Sequence, residues 1–158
     1  MNTSLTRKTI VALLQKGQAH ITVQEALKGL KPELRNVRIA PGFHTIYEQM
    51  EHLRISQEDI LRYTMDPQWK SPNWPEEYWP PEIKRLSGKK WEETLIGFEN
   101  DLKALINLVQ DSNIELTSKI PHTKNHTYLR EILLVADHNA YHLGQIVLTR
   151  KMLGDWSM

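Results

Sequence analysis

Four stretches of the chain repeat their apolar residues at the i, i+3, i+4, i+7 spacing of an amphipathic helix. The first runs from about Ser4 towards Leu30 and carries Leu5, Ile10, Leu13, Leu14, Ile21 and Leu27. The second follows Pro41-Gly42 and continues to about Thr64, with Ile46, Met50, Leu53, Ile60 and Leu61. The third is the most regular, placing Trp91, Leu95, Phe98, Leu102, Leu105, Ile106 and Val109 on one face. The fourth opens near Thr127, a residue type suited to an N-cap, and runs to about Leu153, where Gly154 is a stop signal. Leu134 and Leu148 fall away from its main stripe, so this segment is expected to be buried over most of its circumference. Alternating runs are short and no Asn-Gly or Asp-Gly hairpin turn occurs, which argues against strands. Four such segments predict an all-α protein, a four-helix bundle.

The pattern breaks in DPQWKSPNWPEEYWPPEIKRLSG, between the second and third segments. Pro67, Pro72, Pro75, Pro80 and Pro81 exclude a regular helix there. Trp69, Trp74, Tyr78 and Trp79 make a solvated tether costly, so this loop is expected to pack on the bundle with at least one tryptophan largely buried. It can serve as a packed flap, a dimer contact or a wall over a pocket, with packing the preferred role.

Polar positions carry a second pattern. At about 100° per residue, His138 and His142 of the fourth segment lie one above the other beside the apolar stripe, with Glu131 and Thr149 on the same side. In the second segment His52 lies beside the stripe with Thr45, Ser56 and Tyr63. Each segment thus has a polar strip with histidine along one edge of its core face. Gln145 lies on the edge of His142, and Glu131 can orient a histidine or act as a capping or solvated residue. His44, His122 and His126 read as solvated or hydrogen-bonding residues, and Glu51 and Asp137, adjacent in sequence to histidines, point elsewhere on a helix. A polar seam of hydrogen-bonded histidines satisfies this pattern, and so does a metal ion. Three converging neutral imidazoles suit zinc, nickel, copper or iron, and three protein ligands leave a position open, as in catalytic zinc sites.

Composition narrows the chemistry. The 158 residues suit a single domain spanning 1–158, and a formal net charge of +1 supplies no basic field for nucleic acid. No apolar run reaches the roughly 20 residues that span a bilayer, and the N-terminal stretch does not read as a signal peptide. There are no cysteines, which fits a cytoplasmic protein and removes disulfides and a cysteine nucleophile. A thiol, if one reacts here, comes from a cosubstrate.

Two segments carry a family resemblance. LLVADHNAYHLGQIVLTRKMLG resembles the closing helix of the DinB-like, or YfiT-like, superfamily of metal-dependent helical bundles, with its His-x-x-x-His followed by Gly-Gln. PGFHTIYEQMEHL is similar to the start of that family's second helix, which supplies a third histidine. The resemblance implies His52, His138 and His142 as ligands of one divalent ion, zinc or nickel. It also implies a homodimer and a small-molecule substrate, while charge and hydropathy point to no nucleic acid and no membrane. Members include S-transferases that use bacterial low-molecular-weight thiols and a maleylpyruvate isomerase branch. Three functions remain open: a metal-dependent transferase or hydrolase, a metal-binding bundle without turnover, and a metal-free dimer with a histidine seam.

Overall fold

The computed structural model describes residues 3–156. It contains helices α1 (Thr3–Lys16), α2 (Val23–Leu27), α3 (Ile46–Met65), α4 (Gly88–Gln110) and α5 (Tyr128–Met152), with 3₁₀ turns at Pro32–Leu34 and Glu76–Tyr78. No strand occurs among the described residues, only an isolated antiparallel bridge between Lys119 and Thr127. None of their helices is long and apolar enough to cross a membrane.

The long second segment becomes α3, and its start is set locally. The Thr45 hydroxyl accepts from the Glu48 amide at 3.1 Å while the Glu48 carboxylate accepts from the Thr45 amide at 2.8 Å. This capping box satisfies two amides that a helix start leaves unpaired. From there Ile46, Met50 and Leu53 project inward and are completely buried. They join Trp91 and Phe98 of α4 and Ile146 of α5 in one cluster, so α3 packs against both partner helices. A second cluster, Ile10, Leu108, Val109, Leu116 and Ile132, ties α1 and α4 to the start of α5. Each fully buried side chain of this kind contributes about 1.5–3 kcal/mol. Thr127 is the N-cap of α5, its hydroxyl accepting from the Arg130 amide at 3.2 Å.

Two expectations need correction. The first segment is not one helix towards Leu30: α1 ends at Lys16, and the chain turns before α2. Gly17 has φ +61°, and a Cβ there would lie 2.2 Å from the His20 carbonyl oxygen, so the turn requires glycine. Nor is α5 buried around its circumference. It leans on α3 and α2, and its outward residues remain in water: Leu134 is 37% exposed and Leu148 53%.

The Pro- and Trp-rich loop is irregular apart from its 3₁₀ turn. Trp74 is 71% exposed, whereas Trp69 and Trp79 turn towards the bundle and are partly buried.

Candidate metal centre

Helices α3 and α5 bring His52, His138 and His142 together. One ring nitrogen from each lies within 4.8 Å of the others, and His52 Nε2 is 3.1 Å from His138 Nε2. Ring centroids are 4.5 Å apart for His52–His142 and for His138–His142. His52 and His142 are 2% and 6% exposed.

The outward nitrogens set the chemistry of the inward ones. His52 Nδ1 lies 2.7 Å from the Tyr78 carbonyl oxygen, an acceptor, so Nδ1 carries the hydrogen and Nε2 presents a lone pair. His142 Nδ1 lies 2.6 Å from Gln49 Oε1, and the Gln49 amide in turn donates to Gln145 Oε1 at 2.9 Å. A second lone pair therefore turns inward. Hydrogen bonds of this kind on the outer nitrogen fix the tautomer and orientation of metal-ligating histidines.

Burial holds all three rings neutral. It lowers the His138 pKa to about 4 and that of His142 to about 3, with the neighbouring imidazoles adding to the effect. His52 is lowered by the same desolvation, partly opposed by its bond to the Tyr78 carbonyl. Neutral imidazole is the form that binds a metal. The close approach of the His52 and His138 Nε2 atoms is the test of fit. Two lone pairs at that separation repel unless a cation or a shared proton lies between them, and the donor set of three imidazoles suits a divalent transition metal.

The loop closes one side of the site. The Trp79 ring lies flat on His52, with centroids 3.9 Å apart and planes 4° apart. On its other face it stacks on His44, at 3.6 Å and 8°. Tyr141 stands edge-on to His142 at 5.0 Å.

The other singled-out residues fall differently. Gln145 acts through Gln49 rather than on a ring directly. Glu131 is buried in the first turn of α5, two turns before His138, where His126 Nδ1 and Arg130 Nη1 approach its Oε1 at 3.0 and 2.6 Å. A local ion pair thus replaces the orienting role beside His138. Tyr63 is drawn to the same distant region, its ring 5.6 Å from that of His126. Glu51 turns to the opposite side of α3 and bonds Arg54, Lys90 and Thr94.

Sequence reasoning passes over Gln49, the Tyr78 carbonyl, Asp59 and the stacking role of His44. Gln49 does have a signal, since it lies three residues before His52 on the same edge, as Gln145 lies three after His142. A backbone carbonyl delivered by a loop has no residue signature.

Fold and site together define a helical bundle with a three-histidine group positioned to hold one metal ion between two of its helices. The chain belongs to the DinB superfamily, whose family model matches residues 18–146, a span that includes all three histidines and the loop. No curated protein and no solved structure matches the chain.

Proposed function

We propose that this protein binds one divalent metal ion, zinc or nickel, through Nε2 of His52, His138 and His142, and transfers an external thiol to a small electrophilic molecule. The observation that carries the reading is the convergence of three neutral imidazole nitrogens, with the outer atoms of His52 and His142 engaged elsewhere. A divalent ion supplies a Lewis acid that lowers the pKa of an incoming thiol. The chain's own part is to hold the imidazoles neutral and oriented, and Trp79 covers one face of the His52 ring. With no cysteine in the chain, the reacting sulfur belongs to a low-molecular-weight cosubstrate. The sulfur forms a bond to the electrophilic carbon, the leaving group departs with its electron pair, and the thiol proton passes to solvent.

The test uses protein purified without a histidine tag. Metal analysis is expected to find about one ion per chain, held at the open-coordinated three-ligand site. Incubation with a thiol and an alkyl halide should then consume thiol faster than the same mixture containing His142→Ala protein. Bound metal with identical thiol loss in both mixtures overturns the transferase reading and leaves a binding bundle.

A further inference from the structure

Asp59 lies on α3 seven residues beyond His52, two helical turns along the same side. It is 8% exposed, and both its oxygens are used. Oδ1 accepts from Trp69 Nε1 at 2.8 Å and Oδ2 accepts from the Tyr78 hydroxyl at 2.6 Å. Both donors belong to the loop between α3 and α4. Hydrogen bonds to an ionised carboxylate are among the stronger ones a protein makes.

One of the two residues held there also holds His52, and the next residue in the chain stacks on it. Tyr78 gives its hydroxyl to Asp59 and offers its carbonyl oxygen to His52 Nδ1. Trp79, next in the chain, lies flat on the His52 ring and is backed by His44. A histidine in a site of this kind has two freedoms to lose, the position of its proton and the rotation of its ring. The Tyr78 carbonyl removes the first and the Trp79 face restricts the second. Both arrive on a loop that must otherwise be ordered against chain entropy.

We propose that Asp59 is a positioning residue for His52: by clamping Trp69 and Tyr78 it docks the loop whose Tyr78 carbonyl and Trp79 ring set the tautomer and orientation of the imidazole. The proposal deepens the metal reading above, which says what the oriented ring is for, yet the docking itself can be measured without metal.

The experiment compares wild type, Asp59→Ala and Tyr78→Phe. Tyr78→Phe deletes only the hydroxyl, so it carries the test if Asp59→Ala fails to fold. Two-bond nitrogen–proton NMR correlations report the tautomer of each histidine in metal-free protein. Wild-type His52 is expected as a single Nδ1–H tautomer, and both variants should convert it to a mixture while the helical circular dichroism persists. Cobalt(II) titration should show roughly 10- to 100-fold weaker binding in the variants, with an altered visible spectrum. The double variant should be little worse than either single one, because both break one clamp. Variants that lose thermal stability but keep the wild-type His52 tautomer overturn the proposal, as does an unchanged tautomer at full stability. If wild type takes up no cobalt while the His52 tautomer still follows Asp59, the clamp stands and the metal reading falls.

Discussion

Two groups of histidines lie at α5, one ahead of the helix and one midway along it, and they differ in what their ring nitrogens face. Ahead of the helix, His126 Nδ1 lies 3.0 Å from the buried Glu131 carboxylate, and His122 Nε2 lies 2.7 Å from the Tyr63 carbonyl oxygen. Arg130 completes that cluster with a second contact to Glu131. Here the polar groups find partners within the chain. Midway along the helix, His142 and the partnering His52 of α3 spend Nδ1 on neutral oxygens, from Gln49 and Tyr78, and turn Nε2 inward to meet His138. In the first group the rings meet oxygens of the chain, and in the second the Nε2 atoms of His52 and His138 also face each other across 3.1 Å. The number of histidines therefore says little, and the partner of the outer nitrogen says what the inner one can do.

The largest break in that comparison should come from His138→Ala. Removing one of three ligands is expected to abolish most bound metal, while His126→Ala leaves about one ion per chain. Helical circular dichroism should survive in both, because the apolar clusters around Ile46, Leu53 and Ile132 do not depend on an ion. Collapse of the His138→Ala fold would show the centre to be structural, in the manner of a zinc finger.

Acid is the reversible form of the same experiment. In the folded protein His138 and His142 protonate only near pH 4 and pH 3, whereas in the unfolded chain they protonate near 6.5. Between those values the unfolded state binds more protons, so stability rises with pH across the window. Metal-free protein is therefore expected to be fully stable above about pH 6.5 with respect to these groups and to weaken progressively as pH falls towards about 3. Denaturation midpoints measured against pH test this, since His142→Ala should show a shallower slope than wild type. Equal slopes would mean that the rings titrate normally. Bound metal should persist at about pH 5, where a site of ordinary surface histidines would already be losing it to protons.

Much of this architecture is legible in the order of the residues. The period of apolar residues marks α3, α4 and α5 closely, because each helix has one face committed to a common core. The same arithmetic places His52, His138 and His142 at the edges of the two core faces. The break at Gly17 escapes it, because Ile21 and Leu27 continue an apolar spacing across a turn that only backbone conformation reveals. Leu134 and Leu148 mislead because an apolar residue does not name its neighbour, and among the described residues both stay exposed on the outward side of α5. Tyr63 falls on the His52 line by angle, yet it lies eleven residues further along α3, three helical turns distant. A helical wheel projects away that separation.

A smaller effect should follow Trp79→Leu. The flat stack on His52 is the kind of aromatic pair worth about 0.5–1.5 kcal/mol beyond area burial, so metal affinity should fall roughly two- to tenfold. Tryptophan fluorescence supplies the second readout. Copper(II) or nickel(II) should quench a component of wild-type emission that is absent from the variant, since Trp79 lies against a ligand. Undiminished quenching in the variant would place the responsive tryptophan elsewhere.

Glu131→Gln should have no effect on metal at all, and this makes it the sharpest probe of where one histidine group ends and the other begins. Glu131 is 2% exposed and its carboxylate is approached by Arg130 and His126. The amide keeps the shape and one acceptor oxygen but loses the charge, leaving the Arg130 contact without its ionic component. Loss of one charged partner from such a bond costs about 1–3 kcal/mol. In a chain of this size that lowers Tm by about 2–12 °C. The discount for exposure matters, because Arg130 keeps half of its side chain in water and recovers solvation when the pair is broken. The lower end of the range is therefore expected. Metal stoichiometry and affinity should equal those of wild type, since Glu131 lies two turns from His138 and its contacts run towards the start of α5. A variant that loses affinity without losing stability would show the two groups to be one network. Glu131 would then act on His138 along the polar strip of α5, and the division between satisfied and open histidines would have to be redrawn.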